Sequence, residues 1–88
     1  MTRKETLEAA MQAVMVDRNA THGDPEDNFQ HIAEFWTTFK GVPFTRHDVA
    51  VMCALIKVAR MKQSPENPDH AVDLAGYAAC ANEVVTKG

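Results

Sequence analysis

Apolar residues recur at helical spacing along almost the whole chain, and no segment alternates over a useful length. That single periodicity constrains the fold more than any motif does. It leaves no material for a sheet, so the apolar faces must be buried by packing helix on helix. The pattern is interrupted at "RNATHGD", "GVPFT" and "QSPENP", each rich in residues that stop or start helices. Four helices follow.

The first is predicted from about Arg3 to about Asn19, with Thr2 and Glu5 at capping-box spacing and Leu7, Ala10, Met11, Val14 and Met15 as its apolar stripe. The second opens at "DPED". Asp24 is its N-cap, Pro25 takes the first helical position, and Glu26 and Asp27 match the positive end of the dipole. Phe29, Ile32, Ala33, Trp36 and Phe39 form its inner face, and Gly41 ends it before Pro43. The third starts at Thr45, with Asp48 three residues on; "VAVMCALIKVA" is apolar nearly all round and predicts the most buried helix. The fourth runs from about Pro68 to Val85, capped by Asn67, and its Ala71, Ala75, Gly76, Ala78, Ala79 and Ala81 let a neighbouring backbone approach, within the chain or across a dimer.

Helices of about 15–17 residues joined by short loops give an all-α, antiparallel four-helix arrangement. With 88 residues, residues 1–88 make a single domain. A chain this short buries only about 60–65% of its unfolded surface, so homo-oligomerisation is expected to complete it. Trp36, Phe29, Phe39 and Phe44 should supply core volume, and Leu55→Ala or Ile56→Ala should each leave a cavity costing about 2–5 kcal/mol.

Composition narrows the function. The net charge is −3 without a Lys/Arg run, so no direct nucleic-acid binding is expected. No stretch approaches a membrane span, and the N-terminal residues carry no visible signal peptide, so a cytoplasmic protein is expected. Cys53 and Cys80 lie in apolar helical patterns and read as core thiols rather than nucleophiles.

Three polar clusters are not needed by a core. Lys57 and Arg60 share a face late in the third helix. They can serve the helix dipole, or they can hold an anion, with Lys as point charge and Arg as fork. In "ENPDHAVDLAGYAA", Asp69, Asp73 and Tyr77 follow one another at one-turn spacing, with His70 adjacent to Asp73. Asp69 suits a first helical turn. Asp73 is a poor mid-helix residue, and carboxylates one turn apart are how Mg²⁺ is held beside phosphates. Asn28, His31 and Glu34 flank the stripe of the second helix; they are either a solvated face or a metal face ending at Glu34.

Arg18, His22-Gly23-Asp24, Trp36, Asp48, "IKVAR" with Lys57 and Arg60, and "ENPDHAVDLAGYAA" resemble, in that order, the small phage- and bacterium-encoded MazG-like proteins. These belong to the all-α nucleoside triphosphate pyrophosphohydrolase superfamily. The resemblance spans about Asp17 to Ala81. It implies cleavage of a (d)NTP to (d)NMP and pyrophosphate with Mg²⁺ or Mn²⁺, in a homodimer or homotetramer, in the host cytoplasm if the chain is phage-encoded. Superfamily members hold the metal with Glu-x-x-Glu and Glu-x-x-Asp pairs; the nearest equivalents here are His31-x-x-Glu34 and His70-x-x-Asp73. The resemblance therefore implies Glu34 and Asp73 as catalytic carboxylates, and Glu34, Asp69, Asp73 and His31 as metal ligands. It implies Lys57, Arg60, Arg18, His22 and Tyr77 as nucleotide contacts. The alternative is a non-catalytic helical oligomer that binds nucleotides or a protein partner.

Overall fold

The computed structural model of the chain describes residues 1–17 and 25–86. Those residues form α1 (Arg3–Gln12), a π-helical turn (Ala13–Asp17), α2 (Pro25–Lys40), α3 (Arg46–Gln63) and α4 (Pro68–Thr86), with no strand among them. The expected end of the first helix at Asn19, and the Asp24 cap, lie outside the described residues. What is described of the first helix is α-helical only to Gln12 and then widens into the π-turn, a form that short periodicity patterns do not distinguish and that favours functional sites.

The helix starts are written in local chemistry. Thr2 caps α1: its hydroxyl accepts from the Glu5 N–H at 3.1 Å, and the Thr2 N–H donates to Glu5 Oε1 at 2.8 Å. Thr45 and Asp48 repeat that reciprocal pair at the start of α3, at 3.0 and 2.9 Å. The Asp69 N–H donates to Asn67 Oδ1 at 3.0 Å where α4 begins. At the end of α2, Gly41 has φ of 74° and its N–H donates to the Thr37 carbonyl at 2.8 Å. A Cβ there would meet nothing within 4 Å, so it is the backbone angle that requires glycine. The Phe44 N–H then donates to Thr37 Oγ1 at 2.8 Å and folds the connection back.

α3 and α4, joined by the short turn at residues 64–67, form the central hairpin; α1 packs on α4 and α2 mainly on α3, while α1 and α2 do not meet among the described residues. The arrangement is thus spread sideways. Its radius of gyration is 13.5 Å, against about 12 Å for a compact chain of this length. The core gathers Phe29 and Ala33 of α2, Val49 and Ala50 of α3, and Cys80, Ala81 and Val84 of α4, with Trp36, Phe44, Cys53 and Tyr77 packed around it. Trp36 and Phe44 meet edge to face at 5.9 Å, and the Phe29 and Tyr77 rings lie 6.4 Å apart.

Two burial expectations are overturned. α3 is not the most buried helix of the chain: Val51, Met52, Leu55, Ile56 and Val58 are exposed, and α4 contributes more buried residues. A helix apolar all round can put only one side on α4 and α2, and no further helix among the described residues covers the other. Leu55→Ala and Ile56→Ala therefore open no cavity within one chain. Phe39 is likewise 85% exposed and Phe35 74% exposed, so Phe29 alone of the α2 phenylalanines is core.

Candidate functional site

Lys57 comes from the fourth turn of α3 and Asp73 from the second turn of α4. The hairpin brings them face to face, Lys57 Nζ standing 3.0 Å from Asp73 Oδ2. This explains a carboxylate in mid-helix: it is the counter-charge of a lysine on the neighbouring helix. The two side chains are 22% and 42% exposed. Partly exposed pairs of this kind are worth about 0.2–1 kcal/mol, so the contact fixes orientation while remaining easy to open. Arg60, one turn beyond Lys57, is exposed and forms no ion pair among the described residues.

Beside Asp73 lies a cleft of about 160 Å³. Ala13 and Val14 of the π-turn form one wall; Val72, Asp73, Gly76, Tyr77 and Cys80 of α4 form the rest. The wall is held close by Gly76, where a Cβ would stand 2.8 Å from Val14 Cγ1. The small-residue face of α4 thus serves, at Gly76, an approach within the chain. A second, apolar groove continues from Val14 and Gly76 between Leu7 and Met11 of α1, Met15 of the π-turn, and Ala75 and Ala79 of α4.

The other sequence-expected residues are placed separately. Asp69 is exposed at the start of α4. His70 is half-buried, and its Nδ1 is buried with no hydrogen-bond partner among the described residues. His31 and Glu34 lie on the exposed side of α2, where Glu34 Oε1 accepts a long 3.5 Å contact from Gln30 Nε2. Arg18 and His22 lie outside the described residues. Among the described residues, no group of three or more His, Cys, Asp and Glu side chains is placed to hold a metal ion. With Asp73 Oδ2 already on Lys57, the described residues of one chain do not fit a magnesium site. Sequence reasoning missed Ala13, Val14 and Cys80 as cleft residues, because they read as ordinary core positions. The glycine at 76 was the one signal pointing to a close approach there. Cys53 and Cys80 are not joined in a disulfide; Cys80 is buried and Cys53 half-buried.

The fold and site of the described residues define a small all-helical protein with the Lys57–Asp73 ion pair beside a compact cleft. Residues 5–85 match a domain of unknown function, DUF6378, and the chain belongs to that family. It is 41% identical over 73 residues to the Gene 55 protein of Mycobacterium phage L5, a match covering 82% of this chain and 47% of that protein. It is 33% identical over 78 residues to the Gene 55 protein of Mycobacterium phage D29, covering 89% of this chain and 52% of that protein. The chain spans about half the length of these curated relatives. No solved structure matches it. Among the described residues no helix is long and apolar enough to cross a membrane.

Proposed function

We propose that this chain is a nucleotide-binding subunit of a helical homo-oligomer, MazG-like in plan, which takes a (d)NTP with its phosphates on Lys57 and Arg60. The observation that carries this reading is the Lys57–Asp73 contact at 3.0 Å beside the cleft that Tyr77 lines. It draws together three residues that the sequence singles out from different helices and turns. The Lys57 ammonium has three donors and gives one to Asp73; the others can reach phosphate oxygens, with the Arg60 guanidinium adding a planar fork. A triphosphate carries several negative charges, enough to draw those remaining donors against the single charge of Asp73. The exposed apolar faces of α3 and of α2 around Phe35 and Phe39 support assembly into a homodimer or homotetramer. The phage origin of the relatives supports a phage-encoded protein working in host cytoplasm.

A second reading is pyrophosphohydrolase activity, yielding (d)NMP and pyrophosphate. The MazG-like resemblance supports it, with Glu34 and Asp73 as its carboxylates, and so does the exchangeable ion pair. When Lys57 turns to a phosphate, Asp73 Oδ2 is released and can accept a proton from an attacking water. The resemblance also implies Mg²⁺ or Mn²⁺; no step is drawn through it, since one chain's described residues do not assemble its ligands.

Both readings meet one experiment. The protein is incubated with a panel of NTPs and dNTPs plus Mg²⁺ or Mn²⁺, and thermal shift and pyrophosphate release are followed together. A shift that Lys57→Ala and Arg60→Ala weaken is the expected result. Pyrophosphate release on top of it establishes the hydrolase. No shift with any nucleotide overturns both readings.

A further inference from the structure

We propose that the cleft between the π-turn and α4 is a nucleobase subsite that selects bases bearing an amino group. The inference deepens the nucleotide-binding reading and rests on it. At about 160 Å³ the cleft lies below the 300–1,000 Å³ of sites that enclose drug-sized ligands, so it suits a flat ring rather than a whole nucleotide. Its walls have the composition such a ring needs: Ala13, Val14 and Val72 are apolar and Tyr77 is aromatic. Gly76 and Val14 are in contact across it, so its width is set by packing rather than by a hinge.

The charged group at the cleft is Asp73, one turn from the Tyr77 hydroxyl. Lys57 occupies its Oδ2, which leaves Oδ1 with no donor among the described residues. A carboxylate oxygen only accepts hydrogen bonds. Adenine, cytosine and guanine each present an exocyclic amino group to it. Uracil and thymine present one ring N–H flanked by two carbonyl oxygens, which a carboxylate repels. Lys57 meanwhile faces both ways, holding Asp73 for the base and offering its remaining donors to the phosphates. One ion pair thereby ties base selection to phosphate binding.

The test uses the full chain with ATP, CTP, GTP, UTP and inorganic tripolyphosphate, with binding followed by calorimetry. UTP is expected to bind about tenfold more weakly than the three amino-bearing nucleotides. Ala13→Leu, which fills the cleft, should make the four equal and leave tripolyphosphate binding unchanged. Asp73→Asn supplies an amide donor for the uracil carbonyls and should abolish the discrimination against UTP; it keeps the test open if the leucine variant fails to fold. Equal binding of all four nucleotides by the native chain, with tripolyphosphate bound, overturns the subsite and leaves the phosphate reading standing. A preference against UTP that both variants retain also overturns it. If neither nucleotide nor tripolyphosphate binds, the subsite and the phosphate reading fall together.

Discussion

Gly76 of α4 and Val14 of the π-turn meet so closely that a methyl group on Gly76 would stand 2.8 Å from Val14 Cγ1. No real Cβ contact is that short, and Val14, β-branched, has few rotamers in which to retreat. Gly76→Ala should therefore push the π-turn off α4 and cost about 1–3 kcal/mol, the reverse of the usual gain from replacing a helical glycine with alanine. Thermal or urea unfolding checks the sign. A stabilised Gly76→Ala would mean that the π-turn does not press on α4. A Gly76→Ala, Val14→Ala double variant should recover part of the loss, because removing Val14 Cγ1 removes the clash.

The two phenylalanines of α2 that the periodicity treats alike should behave oppositely. Phe29 is fully buried in the core against Tyr77, whereas Phe39 is 85% exposed. Phe29→Ala should cost about 3–5 kcal/mol. Phe39→Ala should stay within about 0.5 kcal/mol in the unassembled chain. Urea denaturation at low protein concentration measures both, and comparable losses would refute the burial assigned to Phe39.

Much of the fold is legible in the sequence because helix starts and stops are decided locally. Thr2, Thr45, Asn67 and Gly41 each act through partners within about one turn, and each stands where its neighbours predict. Burial is different, since it depends on how many partners an apolar face finds. The run "VAVMCALIKVA" states that α3 is apolar on all sides; it cannot state whether another described helix covers its outer side. The candidate site divides the same way. Asp73 is recognisable because a mid-helix aspartate needs a reason, and Lys57 is that reason. The cleft beside them depends on a π-turn and on the approach of α1 to α4, long-range facts to which only Gly76 pointed.

Acid should loosen the start of α1. The hydrogen bond that Glu5 accepts from the Thr2 backbone N–H, and its partnership with the Thr2 side chain, hold its carboxyl below the ordinary value of 4.5. A depressed carboxylate contributes stability above its unfolded pKa and loses it as pH falls through its folded one. The cap should thus be intact at neutral pH and open progressively below about pH 4.5. Carboxyl chemical shifts of Glu5 against pH follow the titration directly. In Thr2→Ala the Glu5 midpoint should move up toward the ordinary value; an unmoved midpoint would show that the box does not bind the carboxylate.

Leu55 is 60% exposed and Ile56 51%, with Val51, Met52 and Val58 beside them. A lone exposed leucine needs no explanation, but five apolar residues over about two turns of one helix form a continuous surface. In the unassembled chain, changing them should leave folding nearly untouched. If this surface joins subunits, its burial adds to stability by mass action, so the melting temperature should rise with protein concentration. Leu55→Glu together with Ile56→Glu places two charges on that surface. The pair should lower the solution mass to that of one chain, remove the concentration dependence of melting, and leave the helical circular-dichroism signal in place. Light scattering after size-exclusion chromatography reads the mass. An assembly that survives both glutamates would move the interface to another face, with the groove between Leu7 and Met11 of α1, Met15 of the π-turn and the small residues of α4 as the next surface to test.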